Sequence, residues 1–506
     1  MRHAVTLALL LASCSSATDA PPEATPDPTV LSQPIATGLK IEELALMQNL
    51  KVPVAKGGQP APRGRVQLVA GRDALLRVYV TLDAGWAPKP ITARIKLVAD
   101  SPTGGFIKVL SATKTVSRPS SEADLDSTIN VPIPGQFLQT ASRFVVVLNA
   151  DQGTPPGDAP MPARYPANGS LAPLDASPGA EKVKVKLVPV QYGADGSNRL
   201  PDMSAEQIER YRQILYKLYP TARVDITVHA PFPWNEPISG SGKGLGALLE
   251  AIGNLRRSED ADLDVYYYGA FNAAQSFEEF CRGGCTTGLS PTGAAYSVGV
   301  GFGGSREQGE RTAETAAHEI GHAHGLNHAP CGGAGGPDPG YPTGAEHAQA
   351  RIGVWGYDQI ANKLVDPGGS QPPKDLMSYC NPSWISDYHH QKLFERVRGN
   401  NDFRARMMSA QTPRQGEEHR AFRVEGDGTI TRRGQASRER YLERGEPRDL
   451  TWKAGDGSTL GHGTARFFPY DHLPGGVLWV PLAPEGAITA ELDGFTRPER
   501  VHFLVR

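Results

Sequence analysis

Residues 318–328 read HEIGHAHGLNH, and three of the histidines have a spacing that suits one metal ion. His318 and His322 are four residues apart, so on a helix both imidazoles leave from the same face. Zinc takes nitrogen ligands at about 2.0–2.1 Å in a near-tetrahedral arrangement and, in a catalytic site, keeps one position for water. Gly325 is the residue type that ends a helix in a left-handed turn, after which the chain can reverse. The spacing therefore predicts one Zn²⁺ site held by His318, His322 and His328.

Glu319 directly follows His318, at the position where this motif carries a base for the attacking water. A structural zinc site needs no base and fills its fourth position with a protein ligand. By chance, the full five-position pattern would arise on the order of 5 times in 100,000 chains of this composition, so coincidence is a poor explanation. His324 lies two residues beyond His322, about 200° around the helix, and is predicted to be structural. The pattern favours an enzyme.

A second motif, DLMSYC at residues 375–380, follows the histidines. Together with HExxHxxGxxH, it resembles the metzincin metallopeptidases, in which a Met-turn follows the histidine motif. The resemblance implies that Met377 lies beneath the metal without binding it. It also implies that Tyr379 approaches the zinc or the reaction oxyanion, as in the astacin and serralysin groups. Simple packing is the alternative for both side chains.

The resemblance to metzincins covers roughly residues 182–400 and implies a zinc metallopeptidase domain. The β-rich N-terminal region and the lipoprotein-like export are also similar to a mucin-degrading secreted group related to dictomallein. That group has Gly-x-Gly-His where this chain has GLNH at residues 325–328. Specificity for mucin therefore does not follow from the likeness.

The expected strands and helices indicate a multidomain α+β protein. Residues 76–80 (LRVYV) alternate apolar with other side chains, which predicts a strand with one buried face. Residues 204–219 predict an amphipathic helix with Ser204 as its N-cap. We expect a metzincin-like catalytic domain, with a twisted mixed sheet and an active-site helix, flanked by a β-sandwich-like and a small β-rich domain. The predicted division is a leader (1–14), a flexible linker (15–34), a β-sandwich domain (35–175), the catalytic domain (182–404) and a β-rich C-terminal domain (405–506).

Three further residues are candidates for binding substrate. Val298 and Val300 lie in the strand candidate at residues 296–302, which is predicted to be an edge strand that pairs with an extended substrate. An interior strand is the alternative. Trp384 follows the Met-turn closely, where it would either line the pocket for the residue after the scissile bond or pack in the core.

Other polar residues near the motif have weaker interpretations. His389 and His390 are adjacent, so helix geometry points them apart and we expect them at the surface. The long loop between the third histidine and the Met-turn carries four aspartates that could bind calcium, although no EF-hand spacing is present. These are Asp338, Asp358, Asp366 and Asp375.

The cysteines indicate disulfide bonds. Besides Cys14 there are four, an even number that in an exported chain is typical of two disulfides. We favour Cys281–Cys285 and Cys331–Cys380, because the second bond would tie two segments of the site together. A Cys-x₃-Cys zinc site at residues 281–285 is the alternative, but no second pair of ligands accompanies it.

The N-terminus resembles a bacterial lipoprotein leader. A short polar head precedes the apolar run Ala4–Ala12, which is too short to span a bilayer. The run ends in LASC, which predicts lipidation at Cys14, and an ordinary signal peptide with an incidental cysteine is the alternative. Ser15 after the cysteine favours the outer membrane. Residues 15–34 are rich in Pro, Ala and Thr, as in a flexible tether.

The whole chain has 52 basic and 54 acidic residues and a formal net charge of −2, without the basic excess of a nucleic-acid binder. We expect an exported protein that is secreted or anchored to the outer membrane or cell surface, and that contacts the membrane only through its lipid. The predicted activity is zinc-dependent endopeptidase cleavage of extracellular proteins or glycoproteins, with Glu319 as the base. The alternatives are a surface binding protein or adhesin with a structural zinc site, and a non-peptide zinc hydrolase.

Overall fold

The computed structural model describes residues 33–99, 105–155, 161–409, 417–437, 442–493 and 500–504. Cys14, the leader and almost all of the predicted linker lie outside the described residues. The protein is multidomain and mixes α and β structure, with more strand than helix. Within the described ranges, no helix combines the length and the apolar character that crossing a membrane requires.

The N-terminal part of the chain forms two antiparallel sheets. Its strands are β1 (Ile35–Ala36), β2 (Leu39–Met47), β3 (Lys51–Lys56), β4 (Gln59–Pro60), β5 (Ala74–Leu82), β6 (Lys89–Ala99), β7 (Phe106–Val116), β8 (Ile129–Ile133), β9 (Arg143–Asn149), β10 (Gly153–Thr154), β11 (Arg164–Tyr165) and β12 (Ala172–Pro173). One sheet has the order β10-β1-β9-β6-β7, with β11 and β12 also on β9, and the other has the order β4-β3-β2-β5-β8. Apolar side chains from both sheets share one core, as in a sandwich.

Strand β5 differs from its sequence-based prediction. Its alternating pattern predicts one buried face, but every residue from Ala74 to Val80 is buried. The polar member of the run, Arg77, is satisfied inside the protein: its guanidinium donates to a carboxylate oxygen of Glu122 at 3.1 Å and to the hydroxyl of Thr128 at 3.2 Å. A buried arginine with such partners is compatible with two buried faces.

The central part of the chain builds a mostly parallel sheet with helices around it. Its strands are β13 (Lys182–Tyr192), β14 (Arg223–Val228), β15 (Phe232–Trp234), β16 (Val265–Phe271), β17 (Gly288–Leu289), β18 (Tyr296–Val300), β19 (Gly356–Asp358), β20 (Lys363–Val365), β21 (Lys374–Asp375) and β22 (Ser383–Trp384). Its helices are α1 (Ala205–Leu218), α2 (Leu245–Ser258), α3 (Phe277–Phe280), α4 (Arg306–Ala323) and α5 (Asp387–Ser409). The main sheet has the order β14-β13-β16-β18-β17, with β15 also on β13, and in it only β17 runs antiparallel to its neighbour. Strands β19 and β20 form a separate two-stranded sheet, as do β21 and β22. Ser204 caps α1 by accepting from the Gln207 backbone N–H.

The prediction that Val298 and Val300 lie on an edge strand is wrong. Strand β18 pairs with β16 on one side and with β17 on the other, and both valines are fully buried. The edge is formed instead by β17, which pairs antiparallel with β18, with Gly288 opposite Gly299 and Leu289 opposite Val298. A two-residue strand has too few side chains to produce a period-2 pattern, so the sequence gives no sign of it.

The C-terminal part of the chain is one antiparallel sheet. Its strands are β23 (His419–Val424), β24 (Ile430–Ser437), β25 (Glu446–Lys453), β26 (Thr459–Pro469), β27 (Gly476–Pro481), β28 (Thr489–Asp493) and β29 (Arg500–Leu504). They have the order β24-β23-β27-β26-β25-β28-β29. A short 3₁₀ helix, Leu442–Arg444, lies between β24 and β25, and others in the chain are Leu125–Ser127, Gly135–Phe137 and Ala345–Ala350. Helix α5 continues past residue 404, the predicted end of the catalytic domain.

The C-terminal sheet and the central sheet share a hydrophobic core. Phe468 and Trp479 of the C-terminal sheet are buried in the same cluster as Leu249 and Ile252 of α2 and Tyr296 of β18. Buried apolar surface of this kind resists separation of the two parts. This packing places loops of the C-terminal sheet against the central sheet.

Arg72, from the N-terminal part, is expected to be important for stability because its buried guanidinium holds the end of α1. It donates to the carbonyl oxygens of Tyr216, Tyr219 and Thr221 at 2.7–2.8 Å. The last carbonyls of a helix have no partner within the helix. Replacing Arg72 by Leu leaves these buried oxygens without donors, and we expect the free energy of unfolding in urea to fall by about 3 kcal/mol.

The matched control for Arg72 is Arg63→Leu. Arg63 is exposed and forms a surface ion pair with Asp175 at 2.7 Å, and such pairs contribute little to stability. We expect no measurable change in the urea midpoint of this variant. If both substitutions lowered the free energy of unfolding equally, Arg72 would not be the residue that links the N-terminal part to α1.

Candidate metal centre

Helix α4 carries the first two histidines and ends where the chain must turn back. Ser305 caps its start by accepting from the Gln308 backbone N–H. Gly325 has φ +92°, a left-handed conformation that side chains with a Cβ resist. A Cβ there would also lie 2.6 Å from a guanidinium nitrogen of Arg396. The turn is closed by the Gly325 N–H, which donates to the carbonyl of His322 at 2.7 Å. The chain then returns toward the helix and brings His328 to it.

Three imidazoles converge at the end of this turn. The Nε2 atom of His322 lies 3.0 Å from Nε2 of His318 and 3.1 Å from Nε2 of His328. Each ring is oriented through its other nitrogen by a backbone carbonyl. Nδ1 of His318 contacts the Leu376 oxygen at 2.7 Å, Nδ1 of His322 contacts the Leu326 oxygen at 2.8 Å, and Nδ1 of His328 contacts the Gly335 oxygen at 2.5 Å.

These contacts determine what the three rings can bind. A carbonyl only accepts, so each Nδ1 carries the proton and each Nε2 presents a lone pair to the same point. Burial lowers the pKa of His318 and His322 well below the usual value, and neighbouring imidazoles lower it further. Three neutral rings with facing lone pairs repel one another unless a cation lies between them. The donor set therefore fits a metal ion held by His318, His322 and His328, and a ring nitrogen of a fourth histidine, His472, lies within 4.8 Å of theirs.

Met377 packs directly under the helix that carries the histidines. It is fully buried, and a Cβ at Gly321 would lie 2.6 Å from its sulfur. Gly321 lies between the two helical histidines, and only a residue without a side chain lets the sulfur approach this closely. The Met377 carbonyl accepts from the Ala329 N–H at 2.9 Å, which joins the turn to the residue after His328.

A buried carboxylate holds this turn in shape. Asp375 accepts from the Met377 N–H at 2.8 Å, from the Ser386 N–H at 2.9 Å and from Nδ1 of His389 at 2.7 Å. Burial alone would raise the pKa of Asp375, but His389 and the donated hydrogen bonds lower it overall. The predicted surface positions of His389 and His390 are therefore wrong, since both are fully buried. The imidazole of His389 is accommodated in the core because its Nδ1 is hydrogen-bonded to the Asp375 carboxylate.

Glu319, Tyr379 and an unpredicted residue, His472, meet beside the three histidines. Nε2 of His472 lies 3.0 Å from Oε1 of Glu319, and the Tyr379 hydroxyl lies 2.5 Å from Nδ1 of His472. Glu319 is buried, which raises its pKa well above the usual value, and Asp471 raises it further. Burial opposes the charged form of His472, but Asp471 and Glu319 raise the pKa of its imidazole to about 9.

Two residues of the C-terminal sheet were missed by sequence reasoning. Asp471 and His472 lie in the loop between β26 and β27, and a carboxylate oxygen of Asp471 lies 3.4 Å from Nε2 of His322. More than 140 positions separate them from the histidine motif, so no local spacing links the two. The only sign in the sequence is a polar Asp-His pair in a turn rich in Pro and Gly, which is too common to indicate a site.

A cleft opens beside Glu319 with a volume of about 330 Å³. Trp384 does not line it, so the prediction of a pocket role for Trp384 is wrong. The indole is 5% exposed, lies in the central core and donates its N–H to the Asn49 carbonyl at 2.9 Å. Side chains that do line the cleft include Phe277, Thr287, Arg311, Glu314, Ser378 and Tyr379.

The cysteine pairs favoured from the sequence are both at bonding distance. Cys281 and Cys285 form one disulfide, and Cys331 and Cys380 form the other. The second joins the segment after His328 to the Met377 turn, as expected. Disulfides are consistent with an extracellular or surface protein.

The aspartates considered for calcium do not share a site. Asp358 pairs with Lys217, Asp338 pairs with Lys392 and Asp375 contacts His389. Asp366 caps a turn by accepting from the Gly368 N–H. Asp338 and Asp375 lie on either side of the His389 ring, at 4.0 Å from Nε2 and 2.7 Å from Nδ1, so this ring separates them. Among these described residues the four carboxylates therefore offer no common set of oxygens for a calcium ion.

His324 is buried on the opposite side of the helix from the three converging rings. Its ring stacks on Tyr266 with centroids 3.8 Å apart, and its Nδ1 contacts the Ile320 carbonyl at 2.7 Å. The point faced by the Nε2 atoms of His318, His322 and His328 is called the metal point below. The His324 ring does not face it, in keeping with its helical position.

Two comparisons with known proteins bear on this site. No curated protein matches the chain. A family comparison matches residues 287–427, a stretch that contains the three histidines, Glu319 and Met377. Asp471 and His472 lie beyond the matched residues. The matched family is described as Peptidase M66, and this match supports a metallopeptidase.

Proposed function

We propose that the protein is a zinc endopeptidase whose metal ligands are His318, His322 and His328. The observation that carries the proposal is the convergence of three Nε2 lone pairs with a buried glutamate beside them. Tetrahedral zinc with nitrogen ligands at 2.0–2.1 Å requires ligand atoms about 3.3 Å apart, close to the separations of 3.0 and 3.1 Å here. The Met-turn contacts support a metzincin-like catalytic domain.

When bound, zinc supplies Lewis acidity, which polarises the scissile carbonyl and makes water acidic enough to attack near neutral pH. Glu319 is the group that moves the proton. It takes a proton from the attacking water and delivers it to the leaving amine. Burial raises the pKa of Glu319, and a carboxyl group with a raised pKa can hold the proton between the two steps. One of its oxygens, Oε2, has no hydrogen-bond partner among the described residues.

Tyr379 is proposed to donate a hydrogen bond to the oxygen that gains charge in the transition state. Its ring centroid lies 5.0 Å from that of His328 and 6.2 Å from that of His318, so its hydroxyl can reach the metal point. The side chain is 44% exposed, which leaves it free to move toward a bound peptide. Burial raises the pKa of Tyr379, so the phenol keeps its proton for donation.

The proposed substrates are extracellular proteins or glycoproteins, bound in extended form along the sheet edge at β17. Thr287 borders both that strand and the cleft. The two disulfides support action outside the cytoplasm. The proposed lipid anchor at Cys14 would keep the enzyme at the outer membrane or cell surface, and the flanking β domains would hold or select substrate.

A surface binding protein with a structural zinc site is the second candidate. One observation favours it: a carboxylate oxygen of Asp471 faces the metal point, and structural sites are closed by a fourth protein ligand. The presence of Glu319 and Tyr379 beside the same point favours the enzyme, because a structural site has no use for them.

Casein cleavage and zinc content, measured on the same preparation, test the proposed function. We expect one zinc per full-length chain, loss of cleavage when a chelator removes it, and recovery on addition of Zn²⁺. Recovery would distinguish a direct role of the metal from irreversible unfolding. A protein that lacks zinc after exposure to Zn²⁺, or that cleaves casein equally well without metal, would end the proposal.

Replacing Tyr379 by Phe is expected to lower kcat by about 100-fold, the usual cost of losing one donor to a developing oxyanion. KM and zinc content should change little, because the ring is kept and the hydroxyl is not a proposed ligand. Tyr388→Phe is the control, since Tyr388 lies on α5 and is not among the residues that line the cleft beside Glu319. A fall in zinc content rather than in kcat would show that Tyr379 acts on the metal site itself.

A further inference from the structure

The loop at residues 470–473 of the C-terminal sheet, which we call the β26–β27 loop, lies along the sheet edge that continues from β17. Tyr470 forms an isolated antiparallel bridge with Pro291. The Asp471 N–H donates to the Ser290 carbonyl at 3.2 Å, and the Thr292 N–H donates to the Pro469 carbonyl at 3.0 Å. Backbone pairing of this kind is how an extended peptide adds to a sheet edge. The loop thus binds where a substrate would.

Side chains fix the β26–β27 loop in this place. Oδ1 of Asp471 accepts from the Ser290 N–H at 3.0 Å and from the His472 N–H at 2.8 Å. Tyr470 and Leu473 pack against the hydrophobic core shared by the central and C-terminal sheets. The loop is therefore anchored on both sides of its Asp-His pair.

The second carboxylate oxygen of Asp471 points at the metal site. Oδ2 lies 3.4 Å from Nε2 of His322 and also 3.4 Å from Nε2 of His472, and the side chain is 1% exposed. It has no hydrogen-bond partner among the described residues. A buried carboxylate oxygen without a donor is costly, and a cation removes that cost. The separation of 3.4 Å is close to the distance of about 3.3 Å between two ligands of one tetrahedral zinc ion.

His472 fills the space between the two proposed catalytic groups. Nε2 contacts Oε1 of Glu319 at 3.0 Å, and Nδ1 accepts from or donates to the Tyr379 hydroxyl at 2.5 Å. Its ring lies nearly parallel to that of His318, with centroids 5.3 Å apart. A scissile carbonyl and its attacking water must occupy the same space between base and oxyanion donor.

We propose that the β26–β27 loop closes the metal centre, with Asp471 as a fourth metal ligand and His472 as a block between Glu319 and Tyr379. The protein as folded is therefore latent, and cleavage requires the loop to leave. This inference rests on the proposed peptidase function and adds its regulation. It also accounts for the Asp471 oxygen at the metal point, the observation that favours a structural site. A latent enzyme is expected to have both a closed fourth ligand position and an intact base.

Zinc affinity of the full-length protein tests Asp471 as a ligand, without reference to activity. In Asp471→Asn, the amide oxygen can keep the bonds to Ser290 and His472, while the ligand oxygen becomes an NH₂ group. We expect zinc affinity, measured by competition with a chromogenic chelator, to fall by about 10- to 100-fold or more. Loss of a residue that only supports a ligand already costs that much. Unchanged affinity would exclude Asp471 from the metal's ligands.

Peptidase activity tests His472 as a block. His472→Ala opens the space beside Glu319, and we expect kcat/KM for casein to rise by about tenfold or more, as the open population increases. His462→Ala is the matched control, because His462 is exposed on the same sheet. Unchanged or lower activity in His472→Ala, with melting temperature maintained, would overturn the block. A fall in kcat alone would instead make His472 a participant in the reaction.

The two proposals fail in different ways. If the wild type and the double variant Asp471→Asn/His472→Ala both bind one zinc and neither cleaves any protein, the peptidase proposal fails. If both cleave casein at the same rate, the peptidase proposal stands and the closed loop is excluded as a regulator.

Discussion

Glu319→Gln is expected to lower kcat for casein by about 10²- to 10⁴-fold, the range that general acid–base catalysis contributes. Glutamine keeps the size of the side chain but cannot take a proton from water at neutral pH. Zinc content should remain at one per chain, because the proposed ligands are three Nε2 atoms and Asp471, whereas Glu319 is bonded to His472. Steady-state kinetics and metal analysis of one preparation check both statements.

The matched control for Glu319 is Glu314→Gln. Glu314 lies on the same helix and lines the same cleft, and burial also raises its pKa. It does not contact the three converging imidazoles, so we expect kcat to change severalfold at most. Because Glu319 also holds His472 in the closed loop, both substitutions should be repeated in the His472→Ala background. Equal kcat of Glu319→Gln and its parent in that background would refute Glu319 as the base.

The metal point could be predicted from the sequence because its geometry is local. Four residues of helix separate two ligands, and a glycine at φ +92° returns the third within six more. Helix periodicity and the left-handed preference of glycine determine these positions without knowledge of the rest of the fold. The approach of Met377 to Gly321 is not local, and its prediction came from the resemblance to a known motif.

The closing loop could not be predicted because it depends on how two sheets pack. His472 and Glu319 are 153 positions apart and meet only because the C-terminal sheet buries Phe468 and Trp479 against α2. The spacing of apolar residues along the chain does not indicate which loop then faces the metal site. The positions of Asp375 and His389 have the same cause: a carboxylate in a core needs donors, and the sequence does not say which element supplies them.

The error at the substrate edge arose from strand length. Strand β18 has five apolar or small residues, which are compatible with either an edge or an interior position. The strand that covers it, β17, has two residues and leaves no pattern. Two interpretations of Trp384 were open for a similar reason, since an indole suits a pocket and a core equally well. Its burial in the central core and its bond to the Asn49 carbonyl decide between them.

His322→Ala should remove both zinc and activity, whereas His324→Ala, two residues away, should keep the metal. Both side chains are buried, but only His322 directs a free Nε2 at the point shared with His318 and His328. The ring of His324 is stacked on Tyr266 on the other side of the helix. Loss of either ring removes packing and lowers stability, so stability of the metal-free proteins does not distinguish them.

The response to zinc distinguishes the two histidine variants. A ligand that binds only the folded state adds about 4 kcal/mol of stability when its free concentration is 1,000 times Kd. We therefore expect added Zn²⁺ to raise the melting temperature of the wild type and of His324→Ala by several degrees, and to leave that of His322→Ala unchanged. The wild type and His324→Ala should cleave casein, and His322→Ala should not. If His322→Ala gained as much stability from zinc as His324→Ala, the three imidazoles would not be the ligands, and the proposed chemistry at Glu319 would lose its metal.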